Sequence, residues 1–372
     1  MNRNIKKVKI LFVLKDIGIV GGAERVLKEI TRNLIKNQQY EISILTLSQE
    51  KSEFIEKNLL IKTFSIKRKK IFLNKFGLFP YLLDIKKIIN KIKPDIIFGW
   101  MSSSYIPLIL INPFLKCSFI AAEHTTFRRY RYRIVEKLLF LFSAFFINQF
   151  TVPSSQARDT YPNYISSKMI IVRNPEFGIK ANNKDIDQFS LKVSKFISVG
   201  RLVKSKDHKN SIKAFSLVSD KFRDINFEIW GDGPEKGNLE KYIKKLGLQN
   251  RVILKGTTYN HSLIYSKGSV MITSTRYESD GISVRESVGY GIPVICFDDV
   301  PALKSSVSHF YNGIVISKYD RVHNLANALE IVLKNPKIFQ SIYNQPKLKV
   351  NELSTRTSVS WEEFINSLRN YI

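Results

Sequence analysis

MITSTRYESDGISVRESVGYGIPVICFD, residues 271–298, reads as strand, loop, helix, strand. Val270–Thr273 is an apolar run. The loop that follows carries Glu278, and Asp280-Gly281 opens a helix through Ser283, Val284, Ser287 and Val288. Gly289 and Gly291 flank the helix end, and Pro293 precedes a second apolar run, Val294–Phe297. A buried strand leading through a helix into another buried strand is the repeat of a parallel sheet covered on both faces. Glu278 lies in the loop and Glu286 on the helix that this loop starts. Free backbone N–H groups at such a start, near Gly281, suit a diphosphate. A carboxylate further along the helix can accept bonds from ribose hydroxyls, as an acidic residue does in dinucleotide folds. A surface loop before a solvated helix with ordinary glutamates fits the same spacing, so its neighbours must decide.

The same alternation extends both ways. Upstream in this half the strand candidates are Phe196–Val199, Phe227–Trp230 and Val252–Leu254; downstream lies Ile314–Ile316. In the first half they are Lys9–Leu14, Glu41–Leu47, Ile61–Ile66, Asp95–Gly99, Ser118–Ala122, Phe150–Pro153 and Met169–Val172. Helical stripes lie between several of them: Val26, Ile30, Leu34 and Ile35 mark one, and Leu82, Ile85, Ile88, Ile89 and Ile92 another. Between the two series the polar GIKANNKDIDQ carries no apolar period and reads as a linker. The expected organisation is α/β: an N-terminal Rossmann-like domain over 1–178, a linker over 179–194 and a second Rossmann-like domain over 195–350. A C-terminal segment, 351–372, holds an amphipathic helix, Trp361–Tyr371, that packs back on the first domain. Two doubly wound parallel sheets in tandem create a central cleft. Ligands of such sheets bind beyond the carboxyl ends of the strands.

Composition narrows the class. A chain of 372 residues is comfortable for two domains, and 44% hydrophobic residues with 12% aromatics exclude a disordered chain. Lys and Arg number 59 against 32 Asp and Glu, a net +27, with 30 basic and 13 acidic residues in 1–178. Such charge favours an anionic partner: phosphorylated substrates, an acidic membrane surface or nucleic acid. Composition drift towards Lys, Ile and Asn accounts for part of it. Cys117 and Cys296 stand in different domains, so a disulfide is not expected and a reducing cytoplasm fits. The apolar stretch Val8–Leu14 is too short for a signal peptide and reads as a first strand. Leu138–Ile147 is too short to span a bilayer, which needs ~20 residues.

Four more segments carry candidate chemistry. In KFISVGRLVKSKDHKNSIKAF, residues 195–215, Arg201 and Lys206 follow a strand end, where a diphosphate needs cations. In EIWGDGPEKGNLEKYI, residues 228–243, the GDGP is a structural corner, with Pro234 in the first helical turn and Asp232 as cap. In GGAERV, residues 21–26, Gly21 and Gly22 let backbone approach a ligand after the first strand. In AAEHTTF, residues 121–127, Glu123 and His124 end a strand. A histidine so placed is structural or catalytic, and position alone does not choose.

These five segments, in this order, resemble family 4 of the glycosyltransferases, a large retaining family with the GT-B fold that builds bacterial polysaccharides and lipid-linked glycans. The family's Gly-Gly-x-Glu loop is here Gly21-Gly22-Ala23-Glu24. Its VGRL and lysine are Val199–Leu202 and Lys206, and its GDGP is Gly231–Pro234. Its paired glutamates are Glu278 and Glu286, followed by the GxPV element Gly291–Val294. The resemblance implies that Arg201 and Lys206 hold the donor diphosphate and Glu286 the ribose. It implies that Glu278 faces the transferred sugar, that backbone at Gly281 and Ile282 meets sugar and phosphate, that Gly22 approaches the diphosphate, and that His124 lies by the donor sugar. One departure stands out. The family usually has Glu-Gly-Phe at the first glutamate, and this chain has Glu278-Ser279-Asp280, which sets a negative charge beside the sugar pocket.

The expectation is therefore a retaining glycosyltransferase that moves a sugar from a nucleotide-diphosphate donor, a UDP-sugar, to a growing lipid-linked surface glycan. It needs no cofactor and no metal: Arg201, Lys206 and a helix start supply the positive charge. It works in the cytoplasm, peripheral on the inner face of the plasma membrane. Lys67–Lys70 and the cluster Arg128, Arg129, Arg131 and Arg133 with Tyr130 and Tyr132 are the candidate contacts to an anionic surface. Two rivals remain. A basic nucleic-acid-binding protein would explain FRRYRYR, residues 127–133, but no nucleic-acid module motif accompanies it. A GT-B epimerase or an inactive homologue would keep the fold without transfer.

Overall fold

The structure, a computed structural model, describes residues 7–15, 21–47, 61–66, 78–111, 117–175, 193–258, 260–266, 268–339 and 359–368. The chain divides into two compact units, Met1–Pro175 with Thr357–Ile372, and Glu176–Arg356. The expected linker and the Lys67–Lys70 cluster lie outside the described residues, apart from the linker's last two positions.

The N-terminal unit is a seven-stranded sheet in the order β3-β2-β1-β4-β5-β6-β7. Its strands are β1 Val8–Leu14, β2 Tyr40–Thr46, β3 Lys62–Ser65, β4 Ile96–Trp100, β5 Ser118–Ala122, β6 Phe150–Val152 and β7 Met169–Ile171. All neighbours are parallel: Ile10 of β1 pairs with Ile42 on one side and Ile96 on the other. β4 is buried along its whole length because helices cover both faces of the sheet. The helix Gly22–Lys36 turns Val26, Leu27, Ile30 and Leu34 inward, on the stripe the sequence marks.

The C-terminal unit is a six-stranded parallel sheet in the order β10-β9-β8-β11-β12-β13. Its strands are β8 Lys195–Val199, β9 Asn226–Trp230, β10 Val252–Gly256, β11 Ser269–Ile272, β12 Val294–Phe297 and β13 Gly313–Ile316. Alternate residues serve opposite faces, as the strand period of two demands. Phe196, Val270, Ile272, Ile295 and Phe297 enter one core cluster, and Ile197, Met271, Val294 and Cys296 enter another. In both sheets the order reverses, between β1 and β4 and between β8 and β11. Loops leaving the strands at such a reversal splay apart and open a crevice for ligand. Every strand expected from the sequence lies within two residues of its place.

The helix Trp361–Leu368 belongs to the N-terminal unit. Val359 forms a bridge to Val172 just before it, with Arg173 N donating to Val359 O at 2.9 Å. Trp361 packs on Trp100 with ring centroids 5.4 Å apart and on Phe98 at 5.7 Å. Trp361, Phe364, Ile365 and Leu368 are all buried. At ~1.5–3 kcal/mol for each large apolar side chain, this face outweighs the ordering of so short a helix. Residues 369–371 of the expected helix lie outside the described residues.

One local expectation is corrected. Pro234 precedes the helix, which runs Lys236–Lys245, and the Asp232 carboxylate accepts from Gly233 N at 2.7 Å inside the turn. The corner bends more tightly than a helix cap, because it must fit under the neighbouring loop.

Candidate functional site

The C-terminal unit gathers most of the candidate residues where the sheet order reverses. β8 runs into Gly200-Arg201-Leu202, and the GDGP corner after β9 holds this loop. Gly200 N donates to Trp230 O at 2.9 Å, Leu202 N to Asp232 O at 2.9 Å and Glu235 N to Leu202 O at 2.9 Å. The fit needs glycine. A Cβ on Gly231 would stand 2.0 Å from the Gly200 carbonyl oxygen. The corner's work is thus to hold the loop that carries Arg201. Arg201 itself is exposed, and its guanidinium makes no hydrogen bond or ion pair among the described residues.

A second set of contacts brings the loop after β8 onto the loop after β11. Arg276 N donates to Ser205 O at 2.8 Å, and Thr275 Oγ1 to the same oxygen at 3.2 Å. Arg276 also pairs with Asp207 at 2.7 Å. Beneath them lies Arg321, its side chain 8% exposed. It donates to Ser274 O at 2.8 Å and Thr275 O at 3.2 Å, pairs with Asp299 at 3.0 Å, and lies over the Phe297 ring at 3.7 Å. Burial pushes the Asp207 carboxyl above its ordinary value, against the pull of Arg276 and Arg321. A buried cation bonded through both of its terminal nitrogens fixes the backbone of the loop that holds Glu278. No motif marks Arg321 or Asp299, which lie 47 and 25 positions from Ser274 in the chain. Only the fold brings them together.

The result is a compact polar cluster. Lys206 Nζ lies 2.5 Å from Glu278 Oε2, each side chain 22% exposed. The aliphatic part of Lys206 packs over Gly200. Glu278 lies beside Gly281, with its Cγ 3.9 Å from where a Cβ there would stand. Gly281 caps the helix Ile282–Gly289 at φ 71°, and a Cβ would also meet Leu303 at 2.5 Å. As the N-cap, Gly281 has no side chain with which to close this helix start. The N–H groups of Ile282 and Ser283 have no acceptor within the helix, which leaves them for a ligand. Glu286, further along, is buried and accepts from the Tyr265 hydroxyl at 2.9 Å. Tyr265 stacks on Tyr290 at 5.2 Å, which holds the hydroxyl on the carboxylate. Tyr265 carries no sequence signal, being one of 16 tyrosines.

The departure at Ser279-Asp280 resolves differently from the sequence expectation. Asp280 pairs with Arg285 at 3.0 Å, and the two side chains are 11% and 19% exposed. The negative charge beside Glu278 is therefore met within the same segment. His208, buried at the start of the helix His208–Ser216, sits 3.4 Å from Ser198 Oγ and 3.3 Å from Arg201 O, and burial lowers its pKa to about 4.

The N-terminal unit places the other two candidates. Gly22 is exposed as the first residue of its helix, and the Gly21 N–H donates to Glu24 Oε2 at 3.0 Å. Residues 16–20, the turn before it, lie outside the described residues. His124 follows β5. Its ring lies 4.2 Å from Trp100 and stacks on Trp361 at 6.3 Å and 16°. The residue reaches the surface in part, yet both ring nitrogens are enclosed, and burial lowers its pKa to about 3. It is thus a neutral imidazole, covered by the C-terminal helix. Beside it Glu123 is fully buried and accepts from Tyr105 at 2.6 Å and Tyr161 at 2.9 Å. Burial pushes that carboxyl above its ordinary range.

Two family models tile the chain. The Glycosyltransferase Family 4 model matches residues 20–175, and the Glycosyl transferases group 1 model matches residues 180–348. An uncharacterized glycosyltransferase of Haemophilus influenzae is 24% identical over 91% of this chain and 94% of its own. A GalNAc-alpha-(1->4)-GalNAc-alpha-(1->3)-diNAcBac-PP-undecaprenol alpha-1,4-N-acetyl-D-galactosaminyltransferase of Campylobacter jejuni is 22% identical over 98% of this chain and 99% of its own. Among solved structures, HepE of Anabaena in complex with UDP and glucose superposes with a TM-score of 0.77 at 16% identity, over 97% of this chain and 99% of that one. With two parallel α/β sheets of this topology and both halves matched in order, the chain belongs to the group 1, family 4 glycosyltransferases of the GT-B fold.

Proposed function

We propose that this glycosyltransferase takes its sugar from a UDP-sugar and adds it, with retention of configuration and without a divalent metal, to a lipid-linked glycan. The observation that carries the donor site is the Lys206–Glu278 pair held against the Gly281 helix start. A diphosphate accepts from Lys206, Arg201 and the Ile282 and Ser283 N–H groups, which together meet the charge of the leaving group. The sugar hydroxyls then fall to Glu278. Glu286, oriented by Tyr265, accepts from the ribose. These cations and the helix terminus do what a metal ion does elsewhere, so none is required.

The acceptor hydroxyl attacks the anomeric carbon on the face from which UDP leaves. The bond from that carbon to the diphosphate oxygen breaks, its electron pair stays with the phosphate, and the acceptor proton passes to a phosphate oxygen. Glu278 binds hydroxyls and does not act as the nucleophile of retaining glycosidases. Retention rests on family membership. The UDP donor and the lipid diphosphate acceptor are supported by the Anabaena complex and by the Campylobacter relative. A thermal-shift panel of UDP, GDP, ADP and a DNA duplex tests the reading, since stabilisation follows affinity by mass action. UDP should rank first. A duplex ranking first, or no response to any nucleotide, would overturn it.

A further inference from the structure

The helix Ile134–Phe146 in the N-terminal unit turns an entirely apolar face outward. Ile134, Val135, Leu138, Leu139, Phe142 and Phe145 are between 48% and 72% exposed, and Phe146 extends the row. At ~100° per residue they fall within an arc of about 140°. No polar side chain of the helix shares that arc. Phe140, Ser143 and Ala144 on the opposite side enter the core, with Phe140 stacked on Tyr130 at 4.8 Å. A helix buried on one side normally carries polar residues on the other. Here the second side is as apolar as the first, and a contiguous apolar surface of this kind marks an interaction site.

We infer that this face is a docking surface for an anionic lipid bilayer, into which the helix sinks parallel to the membrane plane. Thirteen residues rise ~20 Å, short of the ~30 Å hydrocarbon core, so the helix lies in the interface and does not cross it. Charge selects the bilayer over a second copy of the chain. Residues 127–147 hold five basic residues and one acid, Glu136. That acid is already engaged, by Arg129 at 3.0 Å and Arg133 at 2.9 Å. Lys137 leans over the Phe127 ring and Lys168 donates to the carbonyls of Ala144 and Ile147, so the helix end is cationic as well. Two copies meeting through this face would set one positive rim against another, whereas acidic headgroups neutralise it. Tyr132 precedes the helix, 85% exposed with Arg131 over its ring, and Tyr164 stacks on Phe145 at 5.3 Å. Such rings, apolar with a hydroxyl, settle at headgroup level. The surface belongs to the N-terminal unit alone and stands whether or not the UDP site does.

Flotation with phosphatidylcholine vesicles, with and without phosphatidylglycerol, tests it on the full chain. The protein should float with the anionic vesicles, and less so as salt rises. Each large apolar side chain withdrawn from water strengthens binding about tenfold or more, so F142E plus F145E should weaken it at least tenfold. R131E plus R133E should weaken binding and flatten its salt dependence. All four residues are exposed, so the thermal midpoint of each variant should stay near that of the parent. Undiminished flotation of F142E/F145E, or no flotation of the parent with either vesicle, would overturn the inference. So would a parent that sediments as a dimer and a variant that sediments as a monomer.

Discussion

Replacing Arg201 and Lys206 by alanine should nearly abolish UDP binding while leaving the fold in place. The guanidinium of Arg201 is exposed, so its bond to a phosphate sits at the low end of charge-assisted hydrogen bonds, about 1.5 kcal/mol. Lys206 is better shielded and already 2.5 Å from Glu278. Removing its ammonium loses a phosphate bond and also leaves the Glu278 carboxylate unneutralised beside an arriving dianion, about 2–3 kcal/mol together. At ~1.4 kcal/mol per tenfold, the double variant should bind UDP between about a hundredfold and a thousandfold more weakly. A second variant isolates the stranded charge: adding Glu278→Gln to Lys206→Ala removes it and should restore part of the loss. The ligand-free thermal midpoint should fall by no more than about 4 °C, because a partly exposed ion pair is worth under ~1 kcal/mol. Calorimetric titration with UDP checks the series. Unchanged affinity in Arg201→Ala/Lys206→Ala, with the fold intact, would refute the assignment of the diphosphate to these two cations.

Three other outcomes follow from particular contacts. His208 is buried and neutral with its pKa lowered to about 4, whereas an unfolded chain takes up that proton near 6.5. Stability should therefore be full above pH 6.5 and fall as pH drops towards 4, by about 3 kcal/mol from this residue; urea midpoints across that window measure it, and a flat profile would remove His208 as a cause. Gly231→Ala should destabilise the protein by about 3 kcal/mol or more, because its Cβ would meet the Gly200 carbonyl at 2.0 Å where no flexible side chain can yield; a thermal midpoint equal to the parent's would show that the corner can relax. Glu278→Gln should slow transfer while EDTA leaves the parent's rate unchanged and the product keeps its anomeric configuration; activity restored to a chelated enzyme by manganese, or an inverted anomeric proton coupling, would count against the mechanism.

The strands were legible because a parallel strand buried on both faces is a near-continuous apolar run, and β4, Ile96–Trp100, could scarcely be read otherwise. The helix start at Gly281 was legible from Asp-Gly followed by a helical pattern. What escaped depends on contacts between distant residues. Arg321 fixes the Glu278 loop through carbonyls far away in the chain, and nothing in its own neighbourhood announces that. Tyr265 reaches Glu286 across a strand and a loop. Asp280 looked like an unneutralised charge because its partner Arg285 lies five residues on, outside the usual helical pairing distances. The sequence shows Leu138–Ile147 only as an apolar run too short to span a bilayer, since such a run carries no sign of which side meets solvent.

The central claim, that this chain releases UDP from a UDP-sugar in the act of transfer, is tested most directly by incubating the protein with radiolabelled UDP-sugars and bacterial glycolipid extract. One UDP-sugar should pass its label into the lipid-extractable fraction with an equal amount of UDP released, and Arg201→Ala/Lys206→Ala should lose both signals together. Label transferred from a GDP- or ADP-sugar but from no UDP-sugar, or transfer undiminished in that double variant, would contradict the account.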